Sequence, residues 1–474
     1  MKNKGSKSGE AVVGSCVGVD LKGKIAAVSR GQISMEVAHP HAAGIDVGSR
    51  FHCVAIGQGE GDVRSYGVYT EDLHSLCQWL QASGIETVAL ESTGSYWKQL
   101  FVFLCDYGLK PILVCGQYTK RQKKTDVTDA RWIQKLHTLG LLPDSFQPDS
   151  FTEEVRTYSR HRQGLLSNAA DYIRKMQKAL RLMNLRLDVV LSDIMGKSGR
   201  AIIEAILAGE RDAQKLSELA HQNVHKSKAE IALALTGFWK EAYLLELRQS
   251  YEIYQFFHSK IAECDKRIEA ALEAQIQQQE AQTGEVRKDY DTKRKKRNKN
   301  VPDMDMQALC YQLTGGIDLS AIEGISNNTL LTLVSEIGCQ VSAFPSAKAF
   351  ASWLRLAPNN RSTGGKIVSR HTPPHKHTIA EALRTAANVI GNQVKTGYLH
   401  KFFQRVMFKK GQMHAIVATA RKLAVIIWSM LAKKQAYNPP KEQEYEDNMR
   451  KQAINSISKK LKRLNIKPEE LAFA

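Results

Sequence analysis

Acidic side chains are in short supply in this chain: 48 Asp and Glu stand against 67 Lys and Arg in 474 residues, a formal net charge of +19. The imbalance turns the surface toward a polyanion, nucleic acid ahead of an anionic membrane. Long apolar runs are missing too. No stretch approaches the roughly 18 residues of a membrane span, and Met1-Lys2-Asn3-Lys4 opens no signal-peptide pattern. The expectation is an intracellular, cytoplasmic protein with no membrane association. The eight cysteines (Cys16, Cys53, Cys77, Cys105, Cys115, Cys264, Cys310, Cys339) contain no C-x-x-C pair, which speaks against a zinc site or a disulfide framework and for buried thiols. Against these shortages, 43% of residues are hydrophobic, enough for two or three cores and too many for a disordered chain.

Residues 1–40 are rich in Gly, Ser and Lys and read as a poorly ordered arm or an accessory hairpin. From His41 the pattern becomes strand-like, with Gly44-Ile45-Asp46-Val47-Gly48, Phe51 to Ile56, Val63 to Tyr69, Thr87 to Leu90 and Pro111 to Cys115. Helical spacing covers about Asp72 to Ala82 and Ser95 to Asp106, so residues 41–150 predict a mixed α/β domain. Beyond Phe151 two heptad-like series follow: Tyr158, Arg162, Leu165, Ala169, Tyr172, Met176, Ala179, Met183, and then Leu247, Ser250, Tyr254, Phe257, Ile261, Cys264, Ile268, Ala271. They predict a helical coiled-coil arm over 151–280, with an ordinary helical bundle as the plainer account. A basic linker, 281–305, carries the dense Lys and Arg run of Arg287 to Lys299; a mainly α C-terminal domain spans 306–435, and a charged tail covers 436–474.

Four acids stand out. Asp46 lies in a strand between two glycines, where a bare backbone leaves room for a phosphate and a metal. Gly18-Val19-Asp20 is a near copy without the strand that follows Asp46, so Asp46 is preferred. Glu91 ends a strand ahead of Ser92-Thr93-Gly94-Ser95 and can reach a carboxylate on a neighbouring strand; as a first-turn helix acid it would only favour the dipole. Asp126 and Asp129, one turn apart behind the cap candidate Thr125, share a helix face and repel unless a cation intervenes. Lys123, Lys124 and Arg131 flank them as candidate nucleic-acid contacts.

The C-terminal domain offers two further segments. Leu319 to Gly338 has the form of a helix-hairpin-helix, whose second helix start can hold a DNA phosphate with backbone amides. Arg361-Ser362-Thr363-Gly364-Gly365-Lys366 suits close approach to a phosphate, with Arg361 and Lys366 neutralising charge. It lacks the upstream glycine and following Ser or Thr of a P-loop. On these grounds alone it is a phosphate-binding loop. His371, His375 and His377 surround two prolines and lack a thiolate or carboxylate to complete a metal set.

The order G-I-D-V-G, A-L-E-S-T-G, K-T-D-V-T-D-A-R, followed by the R-S-T-G-G-K segment, resembles the insertion-sequence transposases of family one hundred and ten, over roughly residues 41–435. The resemblance implies a RuvC/ribonuclease H-like N-terminal domain whose acidic tetrad, Asp46, Glu91, Asp126 and Asp129, binds Mg2+, with Mn2+ as a substitute. It implies that Ser362, ahead of Thr363, is a nucleophile joined covalently to DNA, with Gly364, Gly365 and Lys366 beside it. It further implies donor and target DNA, a structured non-coding bridge RNA as guide, and a homo-oligomer, dimer or tetramer, drawing the two sites from different subunits. Subgroup eleven-eleven fits best, although the N-terminal extension and basic insert depart from compact members. A hydrolytic junction resolvase and a non-catalytic nucleic-acid-binding protein are the alternatives.

Overall fold

The computed structural model describes residues 28–29, 32–33, 35–120, 125–284, 286–291, 300–338, 341–369 and 377–464. Most of the 1–40 extension, Lys123, Lys124, residues 292–299 of the basic linker, His371, His375 and the Arg361 side chain lie outside what is described. The chain divides into two compact units, Met1–Gln147 and Pro148–Ala474.

In the first unit, β1 (Val28–Ser29) and β2 (Gln32–Ile33) form a small antiparallel pair. The main sheet follows with β3 (Ala42–Val47), β4 (Phe51–Ala55) and β5 (Val63–Gly67), then helix α1 (Thr70–Ala82), β6 (Thr87–Glu91), α2 (Trp97–Asp106), β7 (Lys110–Val114) and α3 (Asp126–Thr138). Its order is β5-β4-β3-β6-β7, with β3, β4 and β5 antiparallel and β6 and β7 parallel to β3. The period-two alternation of strands sorts the side chains onto two faces. Ala43, Ile45, Val47, Val88 and Leu90 bury against Leu73, Leu76, Leu80, Leu100 and Leu104 of α1 and α2. On the other face, Cys53 and Ala55 meet Ala130 of α3, and Ala89 and Val114 meet Ile133.

Helix α3 comes unusually close to β3, and Gly44 is the reason. A Cβ built on Gly44 would stand 2.1 Å from the Gln134 backbone nitrogen and 2.7 Å from the Ala130 carbonyl oxygen. The expectation that this glycine leaves room for a phosphate is corrected here: its missing side chain admits a helix. Gly48 serves a turn, since its Cβ would lie 2.4 Å from the Phe51 carbonyl oxygen.

The second unit opens with α4 (Ser150–Leu182), capped by Asp149, whose Oδ1 accepts from the Thr152 amide at 2.7 Å. Four short helices follow, α5 (Leu187–Val190), α6 (Lys197–Leu207), α7 (Ala213–Glu218) and α8 (Lys228–Ala234), before α9 (Glu241–Thr283) returns antiparallel along α4. Met176 and Ala179 of α4, Met183 at its C-cap, and Leu247, Tyr251 and Tyr254 of α9 share a core with Ile202, Ile206, Leu216 and Ile231 from the short helices. The remainder comprises α10 (Met306–Leu313), a 3-10 turn Leu319–Ala321, α11 (Asn327–Ile337), α12 (Ala347–Trp353), β8 (Arg361–Thr363), β9 (Lys366–Ser369), α13 (Thr378–Asn392), α14 (Tyr398–Lys410), α15 (Gln412–Lys433) and α16 (Glu442–Leu464).

Helix α15 corrects the reading of apolar runs: it is long and apolar enough to cross a membrane by length and composition. Arg421 and Lys422 interrupt it in sequence, which hid the run. Its apolar stripe, including Ala420, Leu423, Ala424 and Ile427, is buried, and the helix lies against α12, α13 and α14 as a core helix does.

Candidate active site

The acidic residues are positioned by sheet register and by the direction of α3. β3 and β6 run parallel with Ile45 opposite Leu90, so Asp46 and Glu91 are the next residues at the same ends of adjacent strands. Alternation places both on the α3 face, opposite Ile45 and Leu90. Helix α3 runs back along the sheet. Its late residue His137 meets Thr87 at the start of β6 at 2.9 Å, and Ala130 and Gln134 sit over Gly44, so its first turn lies toward the ends that carry Asp46 and Glu91. The buried Cys53 thiol, paired with Asp46 across β3 and β4, records the same convergence. Burial raises its pKa, and the charges of Asp46 and Asp126 raise it further, against Ser65 and Arg131.

Local chemistry fixes each acid. Thr125 caps α3, accepting from the Thr128 amide at 3.3 Å while Thr128 Oγ1 accepts from the Thr125 amide at 3.1 Å, so the helix begins at Asp126. Glu91 Oε2 accepts from the Thr119 hydroxyl at 2.5 Å, and its Oε1 lies against Gly116, where a Cβ would come within 2.7 Å. Asp129 Oδ1 is buried and has no hydrogen-bond partner among the described residues. A buried carboxylate oxygen without a donor costs free energy that a cation would recover. The donor set is all oxygen, which suits a hard divalent ion. Among the described residues no group of three or more His, Cys, Asp or Glu side chains stands gathered as a metal cluster. The elements bring the four acids to one end of the sheet without closing them into a cage.

Arg131 takes a more internal place than a free phosphate contact. Its Nη2 donates to the Gly59 carbonyl at 2.9 Å, and Gln58 Nε2 returns a bond to the Arg131 carbonyl at 3.0 Å. The pair ties the loop after β4 to α3. Thr119 and Gln58 were not singled out in the sequence, and nothing local marks them, because their partners lie 28 and 73 positions away.

In the second unit, Ser362 sits on an exposed antiparallel hairpin. Thr363 pairs with Lys366 and Ser362 with Ile367, and the two-residue turn is made by Gly364 at φ +55° and Gly365 at φ +74°. Two successive positive φ values define a turn that glycine fills without strain. The Gly-Gly pair is therefore a hairpin turn, which replaces the loop expected from sequence. Directly opposed residues share a face, so Lys366 accompanies Thr363, and Ser362 projects from the other side. The segment read as a helix-hairpin-helix contains the short 3-10 turn, Gly324 at φ +79° and then α11, whose cap Ser326 accepts from the Thr329 amide at 3.3 Å.

Two comparisons with known proteins bear on these sites. Residues 43–185 match a DEDD-type IS110 model described as Transposase, and residues 318–404 match one described as Transposase IS116/IS110/IS902 family. Two separate stretches of the chain are therefore similar to insertion-sequence transposase domains. All four candidate acids fall inside the first transposase match and the Ser362 hairpin inside the second. A curated protein of Pseudomonas aeruginosa, "Probable family 20 transposase", is 27% identical over 126 residues, 26% of this chain and 36% of that protein. The chain thus matches about a third of that relative's length.

Proposed function

We propose that this chain is a DNA transposase that cuts and rejoins DNA through a serine-linked intermediate, using the acidic end of its N-terminal sheet and the Ser362 hairpin. The observation that carries this reading is the meeting of Asp46 and Glu91, at parallel strand ends, with the first turn of α3, inside a region matching a DEDD transposase model. That arrangement is the reason for assigning the sheet to the RuvC/ribonuclease H-like class. Asp46, Glu91, Asp126 and Asp129 would hold Mg2+ or Mn2+, which supplies charge neutralisation at the scissile phosphate.

The Ser362 hydroxyl oxygen attacks phosphorus and forms a new O–P bond as the bond to one DNA oxygen breaks. The serine proton leaves, and the departing DNA strand ends as a hydroxyl. A second DNA hydroxyl then reverses the exchange, so the number of phosphoester bonds is conserved and rejoining needs no external energy source. Exposure of Ser362 at a hairpin suits attack on a large substrate, and the chain's charge of +19 suits donor DNA, target DNA and a structured guide RNA together. The antiparallel α4/α9 arm, read as a coiled coil, would join copies into an oligomer.

The test is a Mg2+-dependent cleavage and joining assay on donor DNA. Asp46→Asn, Glu91→Gln and Asp129→Asn should each lower cleavage on the order of 100-fold or more while the thermal midpoint holds or rises, since each relieves carboxylate repulsion. Cleavage at the wild-type rate in any two of these variants would remove the acidic site from the mechanism.

A further inference from the structure

A second feature of the C-terminal unit belongs to neither the hairpin nor the acids. Helices α4, α11 and α13, with the segment 301–305, enclose an open groove of about 1680 Å³. Small-molecule sites run to roughly 300–1,000 Å³, so the groove is sized for a stretch of polymer.

Its wall is rich in neutral hydrogen-bonding groups: Gln163, Asn328, Thr332, Thr378, Thr385 and Gln393 line it with amides and hydroxyls, while Asp305 and Glu381 add negative charge that turns phosphates away. Asn328 and Thr332 are one turn apart on the groove side of α11, and the Thr332 hydroxyl donates to the Asn328 carbonyl at 2.8 Å. Both arginines in the wall are paired with carboxylates, Arg160 with Glu336 of the same wall. Arg160 holds Glu336 through Nε at 3.0 Å and Nη2 at 2.9 Å, and Arg162 Nε holds Asp265 at 2.5 Å. The groove is therefore poorly suited to track phosphates, although it sits on a strongly basic chain. Gln307, 4% exposed in the same wall, gives its Nε2 to Asn327 Oδ1 at 3.1 Å and leaves its Oε1 without a partner among the described residues. A buried amide oxygen without a donor is costly, and a ligand that brings donor groups would relieve it through a small shift of the amide pair.

We infer that this groove binds a short run of unpaired nucleotides by their base edges, leaving the phosphates outside toward the basic surface. Asn and Gln side chains match the donor and acceptor pattern of a base edge, and unpaired bases present those edges freely. The inference rests on the reading above that the chain works on nucleic acid, and it adds a single-stranded site distinct from the scissile phosphate.

The experiment measures binding of the full chain to three labelled probes: a mixed-sequence single-stranded RNA, the equivalent single-stranded DNA, and a DNA duplex. The exposed double variant Asn328→Ala/Thr332→Ala and the buried variant Gln307→Leu are compared with wild type. Both should weaken single-strand binding by about tenfold or more while duplex binding stays within about twofold. Comparing the RNA and DNA arms shows which source supplies the bases. Unchanged single-strand binding in the exposed double variant overturns the inference. Wild-type binding to duplex alone also overturns it and leaves the transposase reading standing. A wild type that binds none of the probes sinks both. A photo-crosslinker placed at position 328 that captures a polypeptide in place of the oligonucleotide would assign the groove to a protein segment and overturn the inference.

Discussion

Gly44 decides how closely α3 lies on the sheet, and the acids depend on that distance. With the Gln134 nitrogen 2.1 Å from the position of a Cβ, Gly44→Ala forces the helix outward. We expect a loss of about 2 kcal/mol or more, read from the urea midpoint, with a matching fall in Mg2+-dependent cleavage as Asp126 and Asp129 shift. His137 anchors the other end of the helix. The Thr87 hydroxyl gives its proton to the Lys110 carbonyl at 2.9 Å, so His137 Nε2 is the donor to Thr87. Burial, with His39 nearby, pulls the His137 pKa from 6.5 to about 4. Burial does the same to His377, also to about 4, against the pull of Glu336.

For each histidine the unfolded chain binds a proton between about pH 6.5 and 4 that the folded chain refuses. Stability is therefore full above 6.5, declines as pH falls through that window, and declines no further on their account below 4. Chemical denaturation between pH 7 and 4 should show an acid limb that is shallower in His137→Gln, by up to roughly 1.4 kcal/mol per pH unit. An unchanged limb would mean that His137 titrates normally. The four acids and Ser362 were readable as residues in sequence, because motif spacing is local. Their shared setting was only partly so: Gly44 read as space for a ligand, and Thr119, which grips Glu91, carries no local mark.

At the level of elements, the α4/α9 arm was the most legible part of the chain. Its steps of four and three picked Arg162, Ala169, Met176 and Ala179 on α4, Met183 at its C-cap, and Leu247, Ser250, Tyr254, Ile261, Cys264 and Ile268 on α9, all buried, while Tyr158, Leu165, Tyr172, Phe257 and Ala271 of the same series are half-buried. Periodicity survives because a long helix repeats its face, but it carries little information about the shorter helices α5, α7 and α8, each too brief to show a period. Arg162 shows what a charged residue in a seam means. It meets Asp265, and its Nη2 also reaches the Asn300 carbonyl at 3.1 Å, while Asp265 Oδ2 accepts from the Asp303 amide at 3.2 Å. The pair thus pins the chain where it returns from the basic linker. Asp265→Ala should cost about 3–5 kcal/mol, since it strands a buried guanidinium, whereas Arg162→Met with Asp265→Leu should recover most of that loss. Equal losses in the single and double variants, measured by denaturant titration, would show that the backbone bonds to 300 and 303 matter more than the charges.

For the molecule as a whole, excess positive charge and the matches to two transposase models are the grounds for expecting a nucleic-acid partner. Duplex binding should weaken with salt along a log–log slope of about −0.9 for each phosphate contacted. The three polar-groove substitutions, which remove no charge, should leave that slope unchanged. What composition could not supply was the form of the serine segment: Gly-Gly after Ser-Thr suits a phosphate loop and a tight hairpin equally, and only the partner strand Lys366–Ser369 distinguishes them. The hairpin also sharpens the choice of nucleophile, because Ser362 and Thr363 project from opposite faces, so a phosphate seated for one is misplaced for the other. The most direct measurement is peptide mapping by mass spectrometry of the full chain trapped on donor DNA with Mg2+. The account expects a nucleotide adduct on Ser362 that disappears in Ser362→Ala, persists in Thr363→Val, and fails to form in Asp46→Asn. DNA cleaved by the wild type with no adduct on any residue would contradict it and leave water as the nucleophile.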